Sequence, residues 1–262
     1  MYSLITGASS GIGLELAKVF SENKKDVVLL ARSKLELEKL AQELRLKYQN
    51  NVQVLCFDLA DRDAAKEIYK IVQNKKWEID TLVNNAGFGE HSAFCNSDWK
   101  RLADMIQVNI TSLTELTHLF LPEMLKNKSG KILNVASTAA FQPGPFFAVY
   151  YATKAFVLSF SSALNEELLG SGVSVTALCP GPTQSGFQKA SHMKDTTLFK
   201  LKKVPTSRQV AEFAYLALEK KQAIAIHGLT NRIGVFLNRL LPRQWILKIV
   251  RRLQGIDNTN TN

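Results

Sequence analysis

The chain has 262 residues, 46% of them hydrophobic and 21% charged, with a net charge of +10. That length and apolar content fit one α/β domain with a sizeable core and exclude a disordered chain. Three scattered cysteines exclude a disulfide framework, and no apolar run approaches the roughly 18 residues of a membrane-spanning helix.

The expected elements alternate along the chain. A strand at 2–6 leads into a helix at 11–23, then come a strand at 26–31, a helix at 34–49, a strand at 52–57 and a helix at 61–75. A strand at 79–84 precedes one long helix at 97–126, a strand at 130–135 and a helix at 148–170. Strands at 173–179 and 223–226 flank a helix at 206–221. Strand–helix alternation predicts a doubly wound parallel sheet of about seven strands with helices on both faces. Runs such as Val27-Val28-Leu29-Leu30 suit strands buried on both sides. Residues 182–205, with Pro182, Gly186, Pro205 and little periodicity, follow a strand end where ligands bind in such sheets, so a mobile substrate lid is expected there.

Beyond 228 the pattern changes. Helices are expected at 229–241 and 243–253, split by Pro242. The second has an apolar stripe of Trp245, Ile246, Ile249, Val250 and Leu253 among Arg243, Lys248, Arg251 and Arg252. Such a helix can lie on an anionic membrane as a weak peripheral contact; packing on the body of the protein is favoured. The chain thus divides into a domain at 1–228, a basic helical extension at 229–256 and a disordered polar end at 257–262.

Tyr2 begins a strand with no signal peptide before it, so a soluble cytoplasmic protein is the expectation, with Cys56, Cys95 and Cys179 as small apolar residues in or near the core. The basic residues are spread along the chain without any DNA- or RNA-binding motif, so no nucleic-acid partner is expected. No Cys/His spacing suits a metal ion, and none is expected. An anionic cofactor, substrate or membrane surface accounts for the charge equally well.

Three strings carry chemistry. The first is Thr6-Gly7-Ala8-Ser9-Ser10-Gly11-Ile12-Gly13, between a strand and a helix. Its glycines let the backbone approach a ligand closely, and the helix N-terminus offers free N–H groups to a pyrophosphate. The next strand ends in Ala31-Arg32-Ser33, with no carboxylate to hold a ribose hydroxyl and an arginine able to pair with a 2′-phosphate. The second string is Asn84-Asn85-Ala86-Gly87. The third is Tyr150-Tyr151-Ala152-Thr153-Lys154, where Tyr150 and Lys154 fall on one helix face. A nearby ammonium lowers a phenol's pKa toward working pH, which suits general acid–base catalysis. Tyr151 has only Ala155 at that spacing.

The ordered set resembles the short-chain dehydrogenase/reductase family over nearly the whole chain, including its G-x-x-x-G-x-G spacing. The resemblance implies a Rossmann-type fold, NADP(H) as cofactor, and a catalytic tetrad of Asn109, Ser137, Tyr150 and Lys154. It implies cofactor contacts at Gly7, Ser9, Ser10, Gly11, Ile12, Gly13, Arg32, Ser33, Asp58, Leu59, Asn85, Ala86, Gly87, Tyr150, Lys154, Pro180, Gly181 and Thr183. Asp58 then meets the adenine, unless it caps the following helix. The activity implied is reduction of a carbonyl to an alcohol, with Tyr150 as proton donor and Ser137 holding the oxygen. The segment Phe141-Gln142-Pro143-Gly144-Pro145-Phe146-Phe147 is expected to flank a hydrophobic pocket, or to serve as core or subunit contact. The alternative function is an NADP(H)-sensing regulator that keeps the fold without the chemistry; an intact tetrad argues against it. A homodimer or homotetramer is implied by the family, paired through the helices at 97–126 and 148–170.

Overall fold

A computed structural model describes residues 1–187, 191 and 204–255. Seven strands form one parallel sheet in the order β3-β2-β1-β4-β5-β6-β7. They are β1 (Tyr2–Thr6), β2 (Asp26–Ala31), β3 (Val52–Cys56), β4 (Ile79–Asn84), β5 (Gly130–Val135), β6 (Val173–Cys179) and β7 (Ile224–Ile226). The order reverses between β1 and β4, which opens a crevice at the C-terminal ends of those strands.

Helices α1 (Gly11–Glu22), α2 (Lys34–Tyr48) and α7 (Ser207–Glu219) cover one face. Leu16, Phe20, Leu37, Leu44, Val210 and Leu218 pack there against Val27, Leu29 and Val83 of the sheet. Helices α3 (Ala64–Asn74), α4 (Trp99–Ile106), α5 (Leu113–Lys126) and α6 (Ala148–Glu167) lie on the other side. Ile68, Val72, Leu116 and Phe120 meet Leu4, Val28 and Leu82 in that second core. The strand interiors are apolar toward both layers, as the aliphatic runs require.

The long helix expected at 97–126 is present, but a wider π-type turn, Gln107–Ser112, joins α4 to α5. Such turns often mark functional positions, and this one carries Asn109. Helix α3 starts later than expected. The amide of Ala60 donates to the Asp58 carboxylate at 3.0 Å, and the residue preceding the helix is Asp63. Asp58 therefore forms a local turn, which removes the alternative of a helix cap.

Two further helices follow β7: α8 (Leu229–Leu237) and α9 (Arg243–Gln254). Ile246 and Val250 of α9 are buried against Leu102, Met105, Phe147, Tyr150 and Tyr151. The favoured packing of the extension on the body thus holds for one face of α9. Of the cysteines only Cys179 is buried; Cys56 and Cys95 are exposed, so the expectation of core positions fails for those two. Cys56 sits at the last residue of a strand and Cys95 in a short surface turn, Phe94–Asn96, where a small side chain has no core to enter. No described helix is long and apolar enough to cross a membrane. Most of the expected lid (188–190 and 192–203) and the polar end (257–262) lie outside the described residues.

Candidate active site

A cleft of about 880 Å³ runs across the C-terminal ends of the central strands. It is lined by every expected site residue except Gly13 and Asn109. A Cβ on Gly13 would overlap the Gly7 carbonyl, so the absence of a side chain here closes α1 onto the loop. Ser10 precedes α1 but its side chain makes no capping hydrogen bond, and the first turn carries no acidic residue. The helix thus presents uncapped N–H groups and its positive dipole end to the cleft.

Strand β1 is tied to the loop after β4 by Thr6, whose Oγ1 accepts from the amides of Asn85 and Ala86, both at 2.9 Å. The Asn85 side chain donates back to the Thr6 carbonyl at 2.9 Å. Asn84 donates to Asn134 at 2.9 Å, and Asn134 to Ser161 at 2.9 Å. This buried chain fixes β4 against β5 and α6, although Asn84 Oδ1 within it has no hydrogen-bond partner. At the far rim Arg32 pairs with Asp58 at 3.4 Å, and both side chains are exposed. An exposed pair of this kind is weak and leaves the guanidinium available to an anion.

Tyr150 and Lys154 lie on one face of α6, and Ser137 ends the segment after β5. Ser137 beside the Tyr150 hydroxyl favours the ionised phenol, yet burial dominates and holds the phenol pKa well above its ordinary value. Lys154 Nζ donates to the Val135 carbonyl at 2.7 Å and lies 5.8 Å from the Tyr150 ring centre. Burial pushes its pKa down to about 8. The sequence argument had Lys154 lowering the Tyr150 pKa. Desolvation of the phenol decides the shift instead, and the lowering influence comes from Ser137 rather than Lys154, so the expected direction is corrected.

Asn109 stands behind the wall, 1% exposed. Its side chain accepts from the Phe88 amide at 3.2 Å and donates to the Phe88 carbonyl and to Thr153, each at 3.0 Å. A Cβ on Gly87 would come 2.9 Å from Asn109 Oδ1 and 3.5 Å from Lys154 Nζ, so that glycine keeps the space between them open. Thr183 is nearly buried and hydrogen-bonds the Gly181 carbonyl at 3.0 Å.

The other end of the cleft is aromatic. Phe147 lies 4.6 Å from Tyr150, ring centre to ring centre, and Phe187 lies 5.2 Å from it. Of the segment 141–147, Gln142 and Phe147 line the cleft, whereas Phe141 packs in the core. Phe146 has a left-handed backbone, φ 63°, with its carbonyl held by the Ser92 amide at 2.9 Å. That turn sets Phe147 beneath Tyr150.

A family model for short chain dehydrogenases matches residues 2–196. The chain belongs to the short-chain dehydrogenase family. Its relatives include a ketoacyl reductase of Nostoc, 29% identical over 91% of this chain and 82% of that one. An oxidoreductase of Staphylococcus epidermidis is 31% identical over 88% of this chain and 96% of that one. Among solved structures, a short-chain dehydrogenase from Sphingobium yanoikuyae in complex with NADPH superposes with a TM-score of 0.82 at 30% identity. It covers 98% of both chains. A bulky-bulky ketone specific alcohol dehydrogenase from Comamonas testosteroni gives 0.77 at 28% identity, over 91% of this chain and 92% of that one. This dehydrogenase is therefore an oxidoreductase of a family that uses nicotinamide cofactors.

Sequence reasoning missed one part of the dehydrogenase cleft. Gln254, at the end of α9, is 1% exposed, lines the cleft, and donates to the Tyr151 hydroxyl at 2.7 Å. In the sequence, Tyr151 has no partner at helical spacing to mark a role for it. No motif marks Gln254, because its contact spans 103 residues of sequence.

Proposed function

We propose that the protein is an NADPH-dependent reductase of a bulky, hydrophobic ketone or aldehyde. The observation that carries this reading is Tyr150, protonated by its burial and sharing the wall of the cleft with Ser137, at the aromatic end of a cleft whose other end is an uncapped helix N-terminus. The donor set suits a dinucleotide. Gly7, Gly13 and residues 9–12 would hold its pyrophosphate, Arg32 and Ser33 a 2′-phosphate, and Asp58 and Leu59 the adenine. Asn85, Ala86 and Gly87 would run beside the ribose, and Pro180, Gly181 and Thr183 beside the nicotinamide carboxamide. The NADPH-bound relative and the relative specific for bulky ketones support the same choice.

Bound NADPH supplies a hydride for the carbonyl carbon. Tyr150 gives its phenolic proton to the carbonyl oxygen as charge develops there, and a raised phenol pKa keeps that proton in place at neutral pH. Ser137 donates a hydrogen bond to the same oxygen. Lys154, held by the Val135 carbonyl, places a positive charge beside the phenolate left behind. Asn109 fixes the Phe88 backbone and would be the group to hold a water beside Lys154 across the space at Gly87. The aromatic walls of Phe147 and Phe187 exclude other water and favour an apolar substrate.

The test is NADPH oxidation against ketones and aldehydes graded from small and polar to long-chain, with Tyr150→Phe as comparison. Turnover is expected to be best on large apolar carbonyls. Tyr150→Phe should lower kcat about 10³-fold while NADPH binding stays within about twofold. Tight NADPH binding without turnover across the panel, or turnover unchanged by Tyr150→Phe, overturns the reductase reading; the first outcome favours a cofactor sensor.

A further inference from the structure

The extension carries a surface that carbonyl reduction does not use. Helix α8 turns Leu229, Ile233, Phe236 and Leu237 outward, and Leu240 continues the row beyond its end. Positions 229, 233, 236, 237 and 240 recur at helical spacing on one face, so this is a stripe rather than a scatter. Helix α9 buries Ile246 and Val250 and leaves Trp245 and Ile249 outside, 61% and 48% exposed. Among the described residues, seven of the eighteen exposed large apolar side chains fall between Leu229 and Ile249. Packing on the body therefore satisfies only half of the extension's apolar content. Exposed apolar patches of this kind mark a surface that meets something.

The charge around these side chains says what. Arg232, Arg239, Arg243, Lys248 and Arg252 are exposed, and among the described residues none of them is in an ion pair. Residues 229–255 contain no Asp or Glu at all. A second copy of the chain is a poor occupant. In a two-fold interface the same patch faces itself, and here that sets cations against cations with no carboxylate between them. A surface of uniform negative charge over an apolar interior fits both features.

We infer that the outer faces of α8 and α9 dock the protein on an anionic lipid membrane. Phe236, Trp245 and their neighbours enter the headgroup boundary, and the five cations meet the lipid phosphates. Gln254, on the buried side of the same α9, forms part of the cleft wall, so the helix that docks is also one that shapes the site.

The experiment is vesicle flotation of the full-length protein, with no cofactor or substrate present, so that its outcome is independent of turnover. Vesicles of phosphatidylcholine alone are compared with vesicles holding about one third phosphatidylglycerol. Binding is expected on the anionic vesicles only, with release as salt rises from about 0.1 to 0.5 M, because exposed charges are then screened. Trp245 fluorescence should shift to the blue on binding. Arg239→Gln with Lys248→Gln should lower partitioning at least about tenfold, since each cation near an anionic surface contributes a factor of about five. Phe236→Glu with Trp245→Glu should abolish it, while Leu46→Glu, an exposed leucine on α2, should leave it unchanged. A melting temperature close to that of the parent shows that each variant is folded. Equal failure to bind both vesicle types overturns the inference. So does binding that none of these substitutions alters, or a fall in oligomer mass on Phe236→Glu with Trp245→Glu from a parent that binds no vesicle.

Discussion

Lys154 shows why the site is not built for stability. Its side chain is buried and has the Val135 carbonyl as acceptor, and burial depresses its pKa from 10.5 to about 8. That depression corresponds to about 3 kcal/mol of cost in keeping the ammonium charged. Below pH about 8 both folded and unfolded chains carry the proton, and the cost is felt in full. Between about 8 and 10.5 the folded lysine is neutral while the unfolded one still binds its proton, so this residue's contribution to stability rises with pH. Lys154→Met should accordingly stabilise the cofactor-free protein at neutral pH, by up to about 2 kcal/mol after the lost hydrogen bond, and abolish turnover. Thermal melting of the two proteins across pH checks both the sign and the window; a Lys154→Met variant less stable than the parent at neutral pH refutes it. Arg32 carries a prediction of a different kind. Its pairing with Asp58 is exposed at 3.4 Å and easily exchanged for a phosphate. Arg32→Asp should move the ratio of kcat/KM from NADPH toward NADH by about 2 kcal/mol or more, the worth of a charge-assisted bond replaced by repulsion. A preserved NADPH preference would remove Arg32 from the cofactor site.

At the scale of elements, what was legible was local. The strands and most helices follow from apolar runs and helical spacing within a few residues, and the loop from Gly7 to Gly13 announces itself by composition. Tyr150 and Lys154 were selected by helix register alone, and they do share a face of α6. The departures arise where a longer-range partner decides. The π-type turn at Gln107–Ser112 leaves the apolar period almost undisturbed, so nothing in the pattern reveals it. Its effect is to let Asn109 reach the Phe88 backbone. The sign of the Tyr150 shift was unreadable for the same reason, because a sequence shows the neighbour Lys154 but not the depth of burial. Gln254 was invisible for want of any local signal, although the apolar stripe of α9 did show that one face of that helix would find cover. That stripe pointed to packing or to lipid as alternatives; the fold buries Ile246 and Val250 of it and leaves Trp245 and Ile249 exposed.

The whole molecule is one sheet read in two directions from β1 and β4, with a cleft where they part. On one side the loop after β1 and the end of β2 bring the uncapped N-terminus of α1 and Arg32 to the cleft. On the other, β5 and α6 supply Ser137, Tyr150 and Lys154. The extension does not stand apart from this plan, because α9 completes the apolar cluster beneath Tyr150 and Tyr151. We therefore expect residues 1–255 to unfold in a single transition, with 229–255 as part of the same cooperative unit. Truncation after Gly228 uncovers the partners of Ile246 and Val250, whose burial is worth about 1.5–3 kcal/mol each at most. At roughly 2–4 °C per kcal/mol for a chain near this size, the melting temperature should fall by about 10 °C. The pyrophosphate end, built from α1 and β2, is left in place, but the lost Asn231 packs against Gly181 at the nicotinamide end, so NADPH affinity should fall by no more than about tenfold. The substrate end loses Gln254 and one wall, so KM for large carbonyls should rise at least about tenfold. Calorimetry, cofactor titration and steady-state kinetics on the truncated chain separate these effects. An unchanged melting temperature with unchanged KM would make the extension an appendage, and α9 would then have no part in holding the substrate.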